Sequence, residues 1–408
     1  MSMKKILLAK QAPMIGHMPA YANTLSAIVG DIYAGMDVVS RELTGFIPSS
    51  MRAPAVERAA VGQAVTYPIA PDQTASDIVP SMTPPSGNDN NIQVGTMAIT
   101  KARAAKFNFT GEEQRMLNAS PGPNFVSVQA MIIAQAFRTL TNEVEADLAA
   151  EAAANASRAY GTAGTTPYAS DNLVELAQLK KILDDNGAPA SGRSAVHTTT
   201  AGANLRTVKN ITRVNEAGSQ MTLRQGELID LFGFSNKETG QPVTHTAGDG
   251  DSATTNAAGY SVGDTVITLA SAGTGAILAG DVITFAGDAN KYIVESGDAD
   301  VSGGGTITLA KPGLREAIPA SATAITVSDD YEAATVGFSQ DALHLAARLP
   351  ARPTTGDLAV DVMTVTDPRT GVSFEIAIYP GYRMMYGEVG LAWGVHASKQ
   401  AHIGMVLG

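Results

Sequence analysis

Residues 125–157, FVSVQAMIIAQAFRTLTNEVEADLAAEAAANAS, decide the fold. They follow Pro121-Gly122-Pro123, a triplet that can open a helix and cannot sit inside one. Phe125, Val128, Ile132, Ala136, Leu140, Val144 and Leu148 recur at three- and four-residue steps, one apolar stripe along a helix. The Ala-rich tail carries the pattern to near Ser157, roughly 50 Å of helix at ~1.5 Å per residue. Ile133 and Phe137 broaden the stripe and break the heptad, so this helix is expected to lie across a sheet, not in a two-stranded coil.

The chain around it has 408 residues, more than one compact core usually serves. Hydrophobic residues make up 44% and charged residues 16%, with 40 Gly and one Trp, which excludes disorder, collagen and coiled coil. The absence of Cys removes disulfides, Cys-bound zinc, iron–sulfur clusters and thiol nucleophiles, and fits a reducing cytoplasm. MSMKKILLAKQ holds only four apolar residues before Lys10, too few for a signal-peptide core. The longest uncharged stretch, Met116 to Phe137, contains Asn118, Pro121, Pro123, Asn124 and Gln129, so no membrane span is expected. Of the net charge of −11, −8 falls within residues 240–330. No basic patch interleaved with aromatics occurs, which disfavours direct recognition of nucleic acid.

Working outward, residues 1–50 read as an extended arm with one short helix near Tyr21–Tyr33 and too few apolar residues for a core of their own. Residues 51–119 read as an extended β-hairpin: Val61, Val65, Tyr67 and then Met97, Ile99 flank a Pro-rich tip with Pro71, Pro80, Pro84, Pro85 and Asn88–Asn91. A two-stranded ribbon without a second layer is marginal alone, so neighbours are expected to bury it around Val61–Tyr67 and Met97–Ile99.

Beyond the long helix, residues 120–239 continue with a second helix capped by Asp171, carrying Leu173, Leu176, Leu179, Ile182 and Leu183 and stopped by Gly187. Ala195–Thr199 suggests a strand, Ala203–Asn210 a helix and Glu227–Leu231 another. Residues 240–330 lose helical periodicity and hold 14 of the glycines. Strands are predicted at Thr265–Leu269, Val282–Phe285, Lys291–Glu295, Thr306–Leu309 and Ala324–Val327, with turns at Gly263-Asp264, Gly280-Asp281 and Gly287-Asp288, a separate small all-β barrel or sandwich. In residues 331–408, Leu358, Val360, Val362 and Val372, Phe374, Ile376, Ile378 flank the turn Asp367–Gly371 as a hairpin with one buried face. Strand continues to the end, anchored by Trp393. The whole reads as α+β with an all-β insertion.

Motifs for chemistry are missing: there is no GxxxxGK, GxSxG or HExxH. His17, His197, His245, His344, His396 and His402 never fall at i, i+4 on a predicted helix, so no metal site is expected. Gly273-Thr274-Gly275 lacks a third glycine and reads as a turn. Asp249 with Asp251 and Asp298 with Asp300 have oxygens for calcium but not the spacing of an EF-hand, and read as solvated turns. Lys4, Lys5 and Lys10 read as a solvated arm, and the sequons at Asn108, Asn118, Asn155 and Asn210 have no role without secretion. Catalytic, cofactor-binding and metal-binding residues are all expected to be none.

The order of parts, with Phe374-Glu375-Ile376-Ala377, Tyr379-Pro380-Gly381-Tyr382, Trp393-Gly394-Val395 and His402-Ile403 to Leu407-Gly408, resembles the major capsid proteins of tailed bacteriophages, and among them the short-tailed-phage coat family with an inserted β-barrel domain. The resemblance implies an N-arm (1–50), an extended loop (51–119), a spine helix with peripheral and apical domains (120–239 and 331–408) and the insertion (240–330). It further implies a non-enzymatic subunit that assembles as pentamers and hexamers on a scaffolding protein, in the cytoplasm of a bacterial host. The product is an icosahedral virion shell that expands on packaging and encloses double-stranded DNA without sequence-specific contact. A portal protein and a possible decoration protein would be partners, with no membrane and no cofactor. Some such shells crosslink through a lysine of the extended loop; no Lys lies between Lys10 and Lys101, so noncovalent stabilisation is expected. The competing readings are an exported surface-layer or adhesin-type protein, which would need an export signal, and an enzyme with a dispersed site.

Overall fold

The computed structural model describes residues 25–53, 58–69, 77–80, 82, 93–119, 125–212, 226 and 228–408. In chain order they form α1 (Leu25–Val38), β1 (Met51–Arg52), β2 (Ala64–Ile69), β3 (Gln93–Ala98), β4 (Lys101–Thr110), α2 (Gly111–Ala119), α3 (Phe125–Ala154) and β5 (Arg158–Tyr160). Next come α4 (Val174–Asp185), β6 (Arg193–Thr198), α5 (Thr199–Thr207), α6 (Lys209–Thr212), β7 (Ser235–Thr239) and β8 (Thr244–His245). The glycine-rich region supplies β9 (Val266–Leu269), β10 (Val282–Phe285), β11 (Lys291–Ser296), β12 (Gly305–Leu309) and β13 (Ile325–Val327). The chain closes with β14 (Tyr331–Ser339), β15 (Leu343–Arg348), β16 (Asp361–Thr366), β17 (Ser373–Gly381), β18 (Met384–Ala397) and β19 (Ile403–Leu407).

The long helix α3 has 30 residues, about 45 Å at ~1.5 Å per residue. Its most deeply buried side chains include Ile133, Phe137, Val144 and Leu148, all 0% exposed, while Val128 and Ile132 are only half-buried. The core-facing stripe is therefore rotated from the expected one over the first turns, because α1 packs on that half and takes Ile133 and Ala134 into a shared core with Ile32 and Met36. α3 crosses a sheet, as its broad stripe predicts: Phe137 stacks on Phe374 of β17 with ring centroids 4.6 Å apart.

That sheet has six strands among the described residues, in the order β1-β15-β18-β17-β16, with β4 on β18. β18 is its axis. One edge pairs with β4 from Met384↔Thr110 to Trp393↔Lys101, and the other pairs with β17 and then β15. Trp393 is fully buried against α3, and its Nε1–H donates to Asp147 Oδ2 at 2.8 Å.

Carboxylates on α3 fasten the surrounding elements. Glu143 pairs with Arg103 of β4 (3.0 Å), Asp147 with Lys101 of β4 (2.7 Å), and Glu151 accepts the Ala397 N–H of β18 (3.0 Å). These three sit at four-residue steps, hence on one ridge of the helix. Glu145, 1% exposed, points elsewhere and accepts the backbone N–H groups of Gly45 (2.6 Å), Phe46 (2.9 Å) and Ile47 (3.0 Å). Burial pushes its pKa up, and the three N–H donors work against that rise. A Cβ at Gly45 would lie 2.5 Å from Val196 Cγ1, so glycine lets the backbone come this close. The segment after α1 is thus part of the main core, not a free arm: Phe46 and Ile47 are buried, and Phe46 stacks on Phe338 at 5.8 Å. The arm expected over residues 1–50 lies outside the described residues up to Thr24.

A second sheet has eleven strands among the described residues: β13-β10-β11-β5-β19-β14-β6-β7 in order, with β12 on β11, β9 on β12 and β8 on β14. α4 and α5 cover one face through Leu176, Leu179, Leu183 and Leu205. Asp171 is not the cap of α4: it has φ +55, and its carboxylate accepts the Lys209 N–H (2.7 Å), while Asn172 Oδ1 takes the Val174 N–H (3.2 Å). Gly187 does end α4, with φ +73. The helix expected over Ala203–Asn210 begins at Thr199 on the Thr198 cap and breaks at Val208. Among the described part of 227–231 there is no helix; Leu231 instead bridges Phe234.

The five predicted strands of the glycine-rich region all form. Their turns have one design: Gly263, Gly280 and Gly287 each have φ +94, the following Asp donates its N–H back to the residue three before, and this closes the β-turn. Ile267, Ile283, Tyr292, Val294 and Ile307 build a core of their own. The region is nonetheless not detached. Lys291 and Tyr292 of β11 pair with Ala159 and Arg158 of β5, so its strands continue the second sheet.

Glu145→Ala, which strands three buried N–H donors, is expected to cost about 3 kcal/mol in urea unfolding. The pair Arg138–Glu42, which also joins the post-α1 segment to α3, holds the Glu42 carboxyl down at about 2, chiefly through the Arg138 hydrogen bond. A depressed carboxylate stabilises above its ordinary value and loses that contribution as pH falls through its own. Arg138→Met should therefore flatten the stability loss between pH 4.5 and about 2, read by denaturant titration at stepped pH.

Candidate assembly surfaces

Strands β2 and β3 pair only with one another, from Ala64↔Ala98 to Ile69↔Gln93, so both strands of this ribbon are edges. That is why Pro68 is tolerated inside β2. Among the described residues of 51–119, β1 and β4 belong to the first sheet and the β2–β3 ribbon does not, against the expectation of one extended hairpin. Sequence reasoning missed β4 because Lys101, Arg103 and Lys106 interrupt its apolar residues, and the signal that could have found it is the alternation Ala105, Phe107, Phe109.

The ribbon divides into a docked root and an open outer part. Met97 and Ile99 are 2% and 1% exposed and pack with Ala59, Ala346 and Ala392 of the same chain. Their expected burial by neighbours is thus overturned, because β15 and β18 already supply the second layer. Gly394 permits the contact: a Cβ there would stand 2.1 Å from the Ala98 carbonyl oxygen. Tyr67 lies across Gly95 of the paired strand and stacks on His344 at 4.8 Å. Arg58, just before the ribbon, donates to the Pro350 carbonyl (2.8 Å) and pairs with Glu375, which Arg352 also holds at 2.7 Å. Farther out the apolar side chains are bare: Val94 is 58% exposed, and Ile78, Val79 and Met82 more so, while Val61, at the root itself, is 60% exposed.

A second open apolar surface lies on the first sheet beyond its edge strand β16. Leu358, Val360 and Val362 were expected on the buried face of the hairpin. They lie on the opposite one, since the β16–β17 register places Met363 and Val365, not Val362, across from Ile376 and Phe374. Val360 joins Tyr382, Arg383 and Met384 at the β17–β18 turn in lining a groove of about 1050 Å³. Tyr382 is almost fully exposed, and the Arg383 guanidinium sits 5.9 Å from its ring centroid.

The residues singled out for chemistry are dispersed. His197 is fully buried between Thr335 Oγ1 (2.9 Å) and Asn236 Oδ1 (3.0 Å), and burial pushes its pKa down to about 4, a neutral core histidine. Asp298 and Asp300 each accept the N–H two residues on, as turn-forming residues do, whereas Asp249 accepts the N–H of Ala276, 27 residues away. Thr274 pairs with Asp251 in an isolated bridge between Gly273 and Gly275. His245 and Asp281 meet at 2.7 Å inside the junction of β8 with the glycine-rich region. Among the described residues no cluster of His, Asp and Glu could hold a metal ion. No helix among them is long and apolar enough to cross a membrane. His17, Lys4, Lys5 and Lys10 lie outside the described residues.

No family model and no curated protein matches the sequence. Among solved structures the chain is similar to the capsid of cyanophage P-SCSP1u, at 12% identity over 90% of this chain and 89% of that one, TM-score 0.48. It is likewise similar to a structure from Mycobacterium phage Che8, at 11% identity over 90% and 92%, TM-score 0.45. A third is a virus-like particle from Pyrococcus furiosus, at 10% identity over 94% and 98%, TM-score 0.41.

Gly394→Ala puts a methyl group against backbone, which cannot give way as a side chain can. It is expected to lift the ribbon root, raising amide hydrogen exchange of residues 97–99 by about tenfold or more while the α3 amides keep their protection.

Proposed function

We propose that the chain is a structural shell subunit, whose copies tile as pentamers and hexamers into an icosahedral container for double-stranded DNA. The observation that carries this reading is the ribbon: its root is fixed on its own sheet, yet Val61, Ile78, Val79, Met82 and Val94 are left without cover. A small soluble monomer rarely exposes apolar side chains on a projecting two-stranded element, because such edges invite pairing with another chain. The groove by Val360 and Tyr382 is a second open surface of different shape. A projection and a groove are not self-complementary, so contacts through them are heterologous, the kind that closes into rings where the rotation allows, rather than two-fold dimers.

The reading is structural rather than catalytic, and it rests on noncovalent contact. An acidic chain without a basic patch suits a wall that must not adhere to packaged phosphate. Assembly on a scaffold around a portal, in a bacterial cytoplasm, with optional decoration proteins, belongs to the same reading. The exported surface-layer alternative gains no support from any described residue.

The test is Val94→Asp in the full chain. At an exposed site it should leave the unfolding midpoint of the isolated subunit within about 0.5 kcal/mol of the wild type. Negative-stain microscopy of concentrated protein, with scaffold where one is found, is expected to yield shells or capsomer rings from the wild type and neither from the variant. A wild type that stays monomeric under those conditions, or a variant that assembles as well as the wild type, overturns the reading.

A further inference from the structure

We propose that the root of the β2–β3 ribbon carries a pH-sensitive latch, in which charging the His344–His396 pair, set opposite one another, releases Tyr67 and loosens the ribbon on its own sheet. His344 of β15 and His396 of β18 are directly opposite in the antiparallel register. Tyr67 covers both: it lies nearly parallel to the His344 ring (4.8 Å, 17°) and tilted over the His396 ring (6.1 Å, 43°). Two imidazoles beneath one phenol ring make a contact whose charge state changes between pH 5 and 8.

The surroundings fix the direction of the response. His344 is 9% exposed, and its Nε2–H donates to the Asp341 carbonyl oxygen at 3.1 Å, the one hydrogen bond that favours its charged form, against the burial that disfavours it. Asp341 and Glu151 supply the carboxylates from the neighbouring elements, and both are engaged: Asp341 with Lys399 (2.7 Å), Glu151 with the Ala397 N–H (3.0 Å) and 3.9 Å from His396 Nδ1. The cations are Lys399, His402, whose Nδ1 is 3.8 Å from Asp341, and Arg52 on β1 beside Met51, the partner of His344; the Arg52 guanidinium turns away to the Ile47 and Thr370 carbonyls. Burial first, and the His396 charge after it, lower the His344 pKa from its ordinary 6.5, while the Asp341 carbonyl and carboxylate act the other way. A docked root that binds a proton less readily than a released one is favoured above that ordinary value and loses its advantage as pH falls below it.

The function of such a latch is to hold the ribbon in one position on the free subunit and to let it re-aim when conditions change. It goes beyond the shell reading, and its test uses the unassembled full chain, so either can fail alone. The chain has no Cys, and Thr96 lies on the exposed face of β3, so Thr96→Cys gives one site for a nitroxide label. Between about pH 8 and about pH 5.5 the mobile fraction of the label is expected to rise by about fivefold, with far-UV dichroism unchanged. His344→Phe keeps a ring beneath Tyr67 that cannot be charged and should leave the label immobile throughout; Tyr67→Ala should leave it mobile throughout. A label that is equally immobile at both ends of the range in the wild-type background, or a His344→Phe profile that matches the wild type, overturns the proposal.

Discussion

The fold depends on the acidic half of α3. A helix of this length has one apolar stripe for a sheet, and hydrophobic contact alone leaves it free to slide or roll. Glu143, Asp147 and Glu151 remove that freedom, because each meets a fixed donor: Arg103 and Lys101 on β4, the Trp393 indole and the Ala397 N–H on β18. Glu145 does the same from another face by collecting three consecutive N–H groups of the post-α1 segment. A buried carboxylate is costly unless every lone pair is used, and here the hydrogen bonds supply direction as well as compensation.

The elements most legible in the sequence are those whose signal is local. The turn Asp367–Gly371, the glycine–aspartate turns and the apolar period of α3 and α4 each depend on residues close in the chain, and each forms. What was not legible depends on partners far away. Whether Phe107 and Phe109 belong to a strand is decided by β18, nearly three hundred residues on. Whether Met97 is bare or covered is decided by Ala346 and Ala392. Alternation in Leu358, Val360 and Val362 is genuine, but the period of two cannot say which face is buried; register with β17 says so. The acidic ridge of α3 was hidden for the same reason, since glutamates on a helix usually mean solvent.

The glycine-rich region illustrates a boundary that composition marks only in part. Its core is its own, and its turns follow one recipe, which is why it stands out in the sequence. Its attachment is nevertheless stiff. β11 pairs with β5, Lys291 Nζ donates to the Gly161 carbonyl (2.6 Å), and Arg158, 3% exposed, reaches Asn290 Oδ1 (2.9 Å) and Asp185 (3.1 Å) together. On the other side the Tyr331 hydroxyl donates to the Gly280 carbonyl at 2.7 Å. Crossings of this kind tie the region to the second sheet by strand pairing and by side-chain hydrogen bonds.

The ribbon obeys opposite requirements at its two ends. An element that is to meet another chain loses less entropy on binding if its direction is already fixed, and the buried Met97 and Ile99 with the Gly394 approach fix it. A root fixed too firmly would confine the ribbon to one angle, whereas the pentamers and hexamers proposed above would need more than one. An aromatic stack over two histidines is suited to that conflict. On the proposal above it adds a contact that protons can weaken to ones they leave alone, the Met97 and Ile99 packing and the Thr100 N–H bond to the Trp393 carbonyl. The same division explains why Val94, Ile78, Val79 and Met82 lie beyond Tyr67: they can be carried to a new position without uncovering the core that Trp393 and α3 enclose.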